Sequence, residues 1–223
     1  MTSKSEKSPA KSEVTRSRIF DAAMRLFRSK GFETTTMREI AAEGEVALGA
    51  AYYYFESKNA IVLEFYDRSM QEMAPLLDEA LAVSRELRAR LSAVIEVKLR
   101  YFLSNRTVLA ALAGRTDPDD PLSPFGQQTR AIRDADIEIF ARAIQESRTN
   151  IPKDLAPHLP RLLWFYQMGI ILFWLYDRSP DQERTHKLLS SSLDLIAGLI
   201  KSSSVPLLAP FRRRVIRIIE AVE

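Results

Sequence analysis

Apolar residues recur at intervals of three and four along most of the chain, a period that fits a helix and excludes a half-buried strand. Ile19, Phe20, Ala23, Leu26 and Phe27 set the pattern near the start. Runs of β-branched residues are almost absent, and only 7 glycines occur in 223 residues. With 46% of residues hydrophobic, such a chain can bury a proper core. The fold class expected is therefore all-α.

Start and stop signals divide the pattern into helices over about 14–29, 37–43, 47–55, 85–103, 106–115, 127–147, 161–178, 180–202 and 207–222. Gly31 stops the first. Thr36 and Glu39 have capping-box spacing, in which hydroxyl and carboxylate satisfy opposing free amides at a helix start. Gly44 ends the second helix, and Ser57 opens a longer one in which Pro75 predicts a kink or break. Residues 116–124, rich in Pro and Asp, form a loop. At 180–202 the signals are dense: Ser179 as cap, Pro180 in first position, Asp181 and Glu183 in the first turn, and Gln182 completing a second capping box.

Several functions are excluded on residue type. No cysteine occurs, so disulfides and thiolate sites are ruled out, as suits a reducing cytoplasm. The polar, lysine-bearing start has no secretory core. The longest apolar stretch, residues 162–176, is interrupted by Gln167 and falls short of the roughly 20 residues a membrane span needs. His158 and His186, the only histidines, lie on different expected helices, and no HExxH, GxSxG, P-loop or GxGxxG arrangement occurs. Neither a catalytic residue, a metal site nor a cofactor site is expected.

Charge distribution says more than its total of +3. Residues 1–30 carry Lys4, Lys7, Lys11, Arg16, Arg18, Arg25, Arg28 and Lys30 against Glu6, Glu13 and Asp21. A disordered basic arm over residues 1–12 is either a contact for a phosphate-rich partner or an ordinary solvated tail. The two short helices at 37–43 and 47–55 have helix-turn-helix dimensions, in which the second helix enters the major groove of DNA. That spacing alone also suits a plain helical core.

From Arg16 to Tyr66 the chain resembles the head of the TetR family of repressors without a gap. Residues 31–41 (GFETTTMREIA) match its first part, and residues 51–58 (AYYYFESK) resemble its recognition helix and the start of its fourth helix. The resemblance implies a helix-turn-helix domain over residues 13–58 and a helical ligand-binding and dimerisation domain over 59–223. It implies contact with double-stranded DNA, at a palindromic operator, by Thr35, Thr36, Ala47, Leu48, Gly49, Ala50, Tyr52, Tyr53 and Lys58. Thr36 would meet a phosphate at its helix N-terminus, Tyr52 and Tyr53 would reach phosphates and base edges, and Lys58 would contact a phosphate. Ile40 and Phe55 are expected in the core.

This chain departs from the family pattern at three points. Ala47 stands where a serine or threonine usually caps the recognition helix, a loss of about 1 kcal/mol. Gly44 is one place early, so either the helix before it ends sooner or Glu45 takes a left-handed conformation. Leu48 and Ala50 replace polar groups on the groove-facing surface.

For the remainder, the resemblance implies a small-molecule effector among the middle helices, with Leu99, Phe102, Phe125, Ile132, Phe140, Trp164 and Met168 as lining. Arg130, Arg133, Asp134 and Gln167 are the candidate polar contacts. A helix apolar around almost its whole circumference, 161–178, must be buried on all sides, in its own core or against a second copy; the resemblance implies that with 180–202 it pairs two subunits into a homodimer. The basic helix at 207–222 suggests packing on its own domain more than a membrane surface. The overall expectation is a cytoplasmic, ligand-responsive repressor with no membrane partner. The alternative is an all-helical interaction module without DNA binding.

Overall fold

The computed structural model describes residues 9–205, 207 and 209–220, with side chains from Ser12 onward except those at 211, 215, 218 and 219. Most of the expected basic arm, and the apolar side chains of Val215, Ile218 and Ile219, lie outside the described residues. Among the described residues there are ten α-helices and no strand: α1 Pro9–Ser29, α2 Met37–Glu43, α3 Leu48–Tyr54, α4 Lys58–Ala82, α5 Leu87–Phe102, α6 Arg106–Leu112, α7 Arg130–Gln145, α8 Leu159–Tyr176, α9 Glu183–Ser202 and α10 Ala209–Glu220.

Three local readings are corrected. First, α1 begins at Pro9, inside the stretch expected to be a disordered arm. Second, Pro75 neither breaks nor ends α4, which runs on to Ala82. Proline removes a single amide from the helical ladder, and Pro75 is exposed. Third, the expected capping box at Ser179 does not form. Asp181 and Gln182 take left-handed conformations (φ 49° and 55°) in a single tight turn, and α9 starts at Glu183.

The cap of α9 comes from Ser179, whose hydroxyl accepts from the Arg184 amide at 3.1 Å, together with Asp177. Its carboxylate accepts from the Thr185 amide at 2.9 Å and hydroxyl at 2.7 Å, and from the Ser179 amide at 2.9 Å and hydroxyl at 2.7 Å. Burial pushes this carboxyl up, and those four donors more than reverse the effect, leaving it well below the usual carboxylate range.

The chain divides into two compact units. One comprises Met1–Arg68 and Asn105–Thr129, the other Ser69–Ser104 and Arg130–Glu223. The first unit buries Ile19, Ala22, Ala23 and Phe27 of α1 together with Ile40, Ala51, Phe55, Ile61 and Val62. It extends past the expected boundary at residue 58 and takes in a distant segment. Arg28 donates to the Asn105 side chain at 3.0 Å. Arg115, bound to Asp120 at 2.9 Å, also pairs with Glu33, its guanidinium 5.2 Å from the Phe32 ring centre.

In the second unit, α5 packs with α7, α8 and α9. Arg90, buried on α5, donates to the carbonyls of Leu81 at 2.7 Å, Ser84 at 3.0 Å and Ala143 at 2.8 Å, tying the end of α4 to α7. Helix α8 is not buried all round in the single chain. Leu163, Trp164, Gln167, Ile170 and Trp174 are buried, whereas Phe165, Leu172, Phe173 and Tyr176 are 42–62% exposed. Leu188, Leu195 and Leu199 of α9 are likewise exposed.

Candidate nucleic-acid interface

The start of α2 is fixed as its spacing predicted. The Thr36 hydroxyl accepts from the Glu39 amide at 3.3 Å, and the Thr36 amide donates to the Glu39 carboxylate at 2.9 Å. Lys30, at the end of the preceding turn, pairs with the same carboxylate. Its hydrogen bond and then those of Thr36 hold the Glu39 carboxyl down to about 2, against an ordinary 4.5. A depressed carboxylate contributes stability that is present above its unfolded value and lost as pH falls through the folded one. Replacing Glu39 with glutamine is therefore expected to lower the melting temperature near neutral pH, with the difference closing between about pH 4.5 and about pH 2. A difference that persists unchanged to the acid end would show that this carboxylate is not the group responsible.

The turn between α2 and α3 resolves the displaced glycine. Gly44 caps α2 with an ordinary φ of −83°, and Glu45 takes the left-handed conformation at φ 51°. Glycine at 44 avoids a tight approach: a Cβ there would lie 3.2 Å from the Ile40 carbonyl and 3.5 Å from the Ala22 side chain. Glu45 carries a strain of roughly 1 kcal/mol, and Arg18 donates to its carbonyl at 3.3 Å. Ala47 provides no side-chain cap.

Helix α3 itself has seven residues and two distinct faces. Ala51 and then Phe55 point into the core. Leu48, Gly49, Tyr52 and Tyr53 are exposed, Tyr53 to 78%, and Ala50 is half-buried. The Tyr53 ring stands edge-on to that of Tyr54 at 5.1 Å. Thr36 and Ala47 are exposed beside this surface. It is mostly apolar and carries two phenols.

Two expected contact residues are placed otherwise. Thr35 is buried, and its hydroxyl donates to the Gly31 carbonyl at 2.7 Å, so this side chain braces the turn that follows α1. Gly31 at φ 96° turns the chain just past α1, and Thr34 and Thr35 donate to the carbonyls of Lys30 and Gly31 in that turn. Lys58 is half-buried. Its ammonium donates to the carbonyls of Phe32 at 2.7 Å and Glu33 at 3.1 Å, 4.6 Å from the Phe32 ring centre. In this state it braces the loop before α2 and does not project into solvent.

A further contact has no counterpart in the sequence pattern. Arg16 on α1 donates to the carbonyl of Tyr54 at 3.2 Å, and to Glu64 of α4 at 2.7 Å. Separations of 38 and 48 residues leave no local signal for either bond.

In the second unit, Leu99, Phe140 and Trp164 are buried, and Phe102, Ile132 and Met168 are half-buried. Arg130 is exposed and pairs with Asp134 at 3.4 Å. Phe125 belongs to the first unit and is 39% exposed. The polar centre of these helices contains one of the expected polar residues, Gln167, beside two that no motif marks. Gln167 on α8 meets Lys98 on α5 at 2.6 Å and Asp136 on α7 at 2.7 Å, and Lys98 and Asp136 pair directly. Lys98 is 2% exposed and lies 5.3 Å from the Phe140 ring centre. Among the described residues, no group of three or more acidic, histidine or cysteine side chains is placed to hold a metal. Among them, too, no helix is long and apolar enough to cross a membrane.

Comparison with known proteins gives two family matches. Residues 19–65 match "Bacterial regulatory proteins, tetR family", and residues 90–214 match "Tetracyclin repressor-like, C-terminal domain". The HTH-type transcriptional repressor KstR of Mycolicibacterium smegmatis is 25% identical over 185 residues, 83% of this chain and 86% of that protein. A TetR-family transcriptional regulator from Syntrophomonas wolfei superposes with a TM-score of 0.64 at 21% identity, over 83% of this chain and 95% of its own. The TetR-family repressor FadR of Thermus thermophilus, solved in complex with lauroyl-CoA, does so with a TM-score of 0.56 at 26% identity, over 80% of this chain and 92% of its own.

Proposed function

This chain belongs to the TetR family of bacterial transcriptional regulators, and from that premise we propose that it represses from a palindromic operator that it reads largely by apolar contact. It is a ligand-responsive DNA-binding regulator and not an enzyme. The observation that carries the reading is the exposed face of α3. Leu48 and Ala50 can neither donate nor accept, and what they can do is pack against the thymine methyl, the one apolar feature of the major groove. Thr36, Tyr52 and Tyr53 supply phosphate contacts that set register without reading sequence. Lys58 joins them on releasing the carbonyls of Phe32 and Glu33.

Two copies act together, joined through residues 161–202, where α8 and α9 leave Phe165, Leu172, Leu195 and Leu199 exposed in the single chain. The effector is a small, largely apolar molecule held among the helices of the second unit by Leu99, Phe102, Ile132, Phe140, Trp164 and Met168. Arg130 and Gln167 are its nearest polar groups. The lauroyl-CoA held by the Thermus relative supports an acyl-like class. Such a ligand weakens operator binding only through its differential affinity for the two states. The protein works in the cytoplasm, where operator and effector meet.

The test is a gel shift with a fragment of the protein's own promoter region at moderate salt, repeated with uracil in place of each thymine. Specific retardation is expected, weakened about tenfold or less by uracil at one thymine of each half-site, in line with about 1 kcal/mol for a methyl contact. Uracil that is silent everywhere would move specificity to Tyr53 or to DNA shape. No specific retardation at all would favour a helical interaction module.

A further inference from the structure

We infer that Arg16 and Glu64 form a latch on the recognition helix that sets its pose, and through that pose the discrimination of operator from random DNA. The inference rests on the reading of α3 as the recognition helix. A helix of seven residues makes few internal hydrogen bonds, and its last carbonyls have no partner within it. Its start is uncapped at Ala47, so no side chain anchors that end. Its other end is anchored. The carbonyl of Tyr54, the last residue of α3, accepts from Arg16 at 3.2 Å. Ser12, one turn earlier on α1, donates to the Tyr54 hydroxyl at 3.3 Å.

Arg16 is itself held from three sides. Its Nη2 reaches one Glu64 oxygen at 2.7 Å and its Nε the other at 3.4 Å, a two-pronged pairing that fixes the plane of the guanidinium. The plane stacks 4.5 Å from the Phe55 ring centre, against the residue that ends α3. Glu64 also accepts from Arg68 at 2.8 Å, and Arg68 lies 4.2 Å from the Phe20 ring centre. The hydrogen bond from Arg16, with help from Arg68, holds the Glu64 carboxyl below its usual range. Three helices thus converge on one carbonyl at the tip of the reading helix.

The consequence for DNA is selective. Phosphate contacts tolerate a shifted helix, because the backbone presents charge everywhere along the duplex. Contacts to base edges do not, because a gap of about 0.5–1 Å already forfeits roughly a quarter to a half of the packing on a methyl. Arg16 and Glu64 are therefore positioning residues, acting on bases through the pose of Leu48 and Ala50. Lysine at 16 can reach the carbonyl or the carboxylate, not both in one plane.

The experiment uses the full-length protein and a duplex selected by it from a random pool. Glu64→Gln, Arg16→Lys and Arg16→Ala are compared with wild type for affinity to that duplex and to a scrambled one at the same salt. The ratio of the two affinities is expected to fall about tenfold, with scrambled-duplex binding within about twofold of wild type. In the protein without DNA, hydrogen exchange of the α3 amides is expected to quicken in every variant while that of α2 and α5 is unchanged. If Arg16→Ala does not fold, the other two each remove one arm of the latch and decide alone. An unchanged ratio, an equal loss on both duplexes, or unaltered α3 exchange overturns the inference. Should wild type select no sequence at all, the proposed function fails, and the exchange measurement still decides the latch.

Discussion

Replacing Asp136 alone with alanine is expected to destabilise the second unit by about 3–5 kcal/mol, the usual cost of stranding one partner of a buried ion pair. Lys98 is 2% exposed, and burial holds its pKa below the ordinary lysine value, an effect partly offset by Asp136, which pairs with it directly. Without that carboxylate, the ammonium keeps only Gln167 at 2.6 Å and the face of Phe140. For a chain of this size the loss corresponds to roughly 10 °C or more in melting temperature. The informative comparison is the triple variant Lys98→Met, Asp136→Leu and Gln167→Leu. Removing all the charge together leaves nothing unpaired, and apolar substitutes of similar volume are often neutral or stabilising. Most of the loss should then be regained. If Asp136→Ala melts like wild type, the three side chains are not coupled in a dry interior.

The second large effect concerns assembly. Leu172→Glu is expected to leave a species of 25.4 kDa, the mass of one chain, at micromolar concentrations in sedimentation or light scattering. Leu172 is 50% exposed, on one stripe of α8 with Phe165 and Tyr176, and α9 adds Leu188, Leu195 and Leu199. A carboxylate in the middle of that stripe must shed its water whenever two copies meet, with no partner to compensate it. Operator affinity should fall with it by about a hundredfold or more, because linking two heads makes the second half-site contact effectively intramolecular. The folded monomer should keep its helix content and its weak binding to random DNA. A Leu172→Glu protein that remains dimeric would place the interface elsewhere than α8 and α9.

The readable parts of this sequence are those whose cause lies within a few residues. Thr36 and Glu39 are three apart, and their reciprocal bonds were foreseeable from spacing. The family resemblance placed Ile40 and Phe55 in the core, where both are buried. The capping box of α9 failed the same test because two causes competed. Ser179, Pro180 and Gln182 offered a local start, but Asp177 captures both Ser179 and Thr185, and the intervening turn is bent into left-handed geometry. Lys58 was legible in position and not in use, since the carbonyls it binds belong to residues 25 and 26 places earlier. Lys98, Asp136 and Gln167 stand on three helices, and nothing in the pattern of any one helix announces the others.

The discontinuity of the first unit bears on how portable the DNA-reading part is. Helix-turn-helix heads invite transplantation as cassettes cut at the end of a contiguous segment. Here the contiguous piece ends at Arg68, yet Asn105 holds Arg28, and Arg115 covers Phe32 while pairing with Glu33. A hybrid regulator given only the first 68 residues would inherit an aromatic ring without its cover and a loop without its clasp. Those are the same ring and loop whose carbonyls hold Lys58. The transferable module is two pieces of chain, and the residues between them belong to whichever sensor is to be attached.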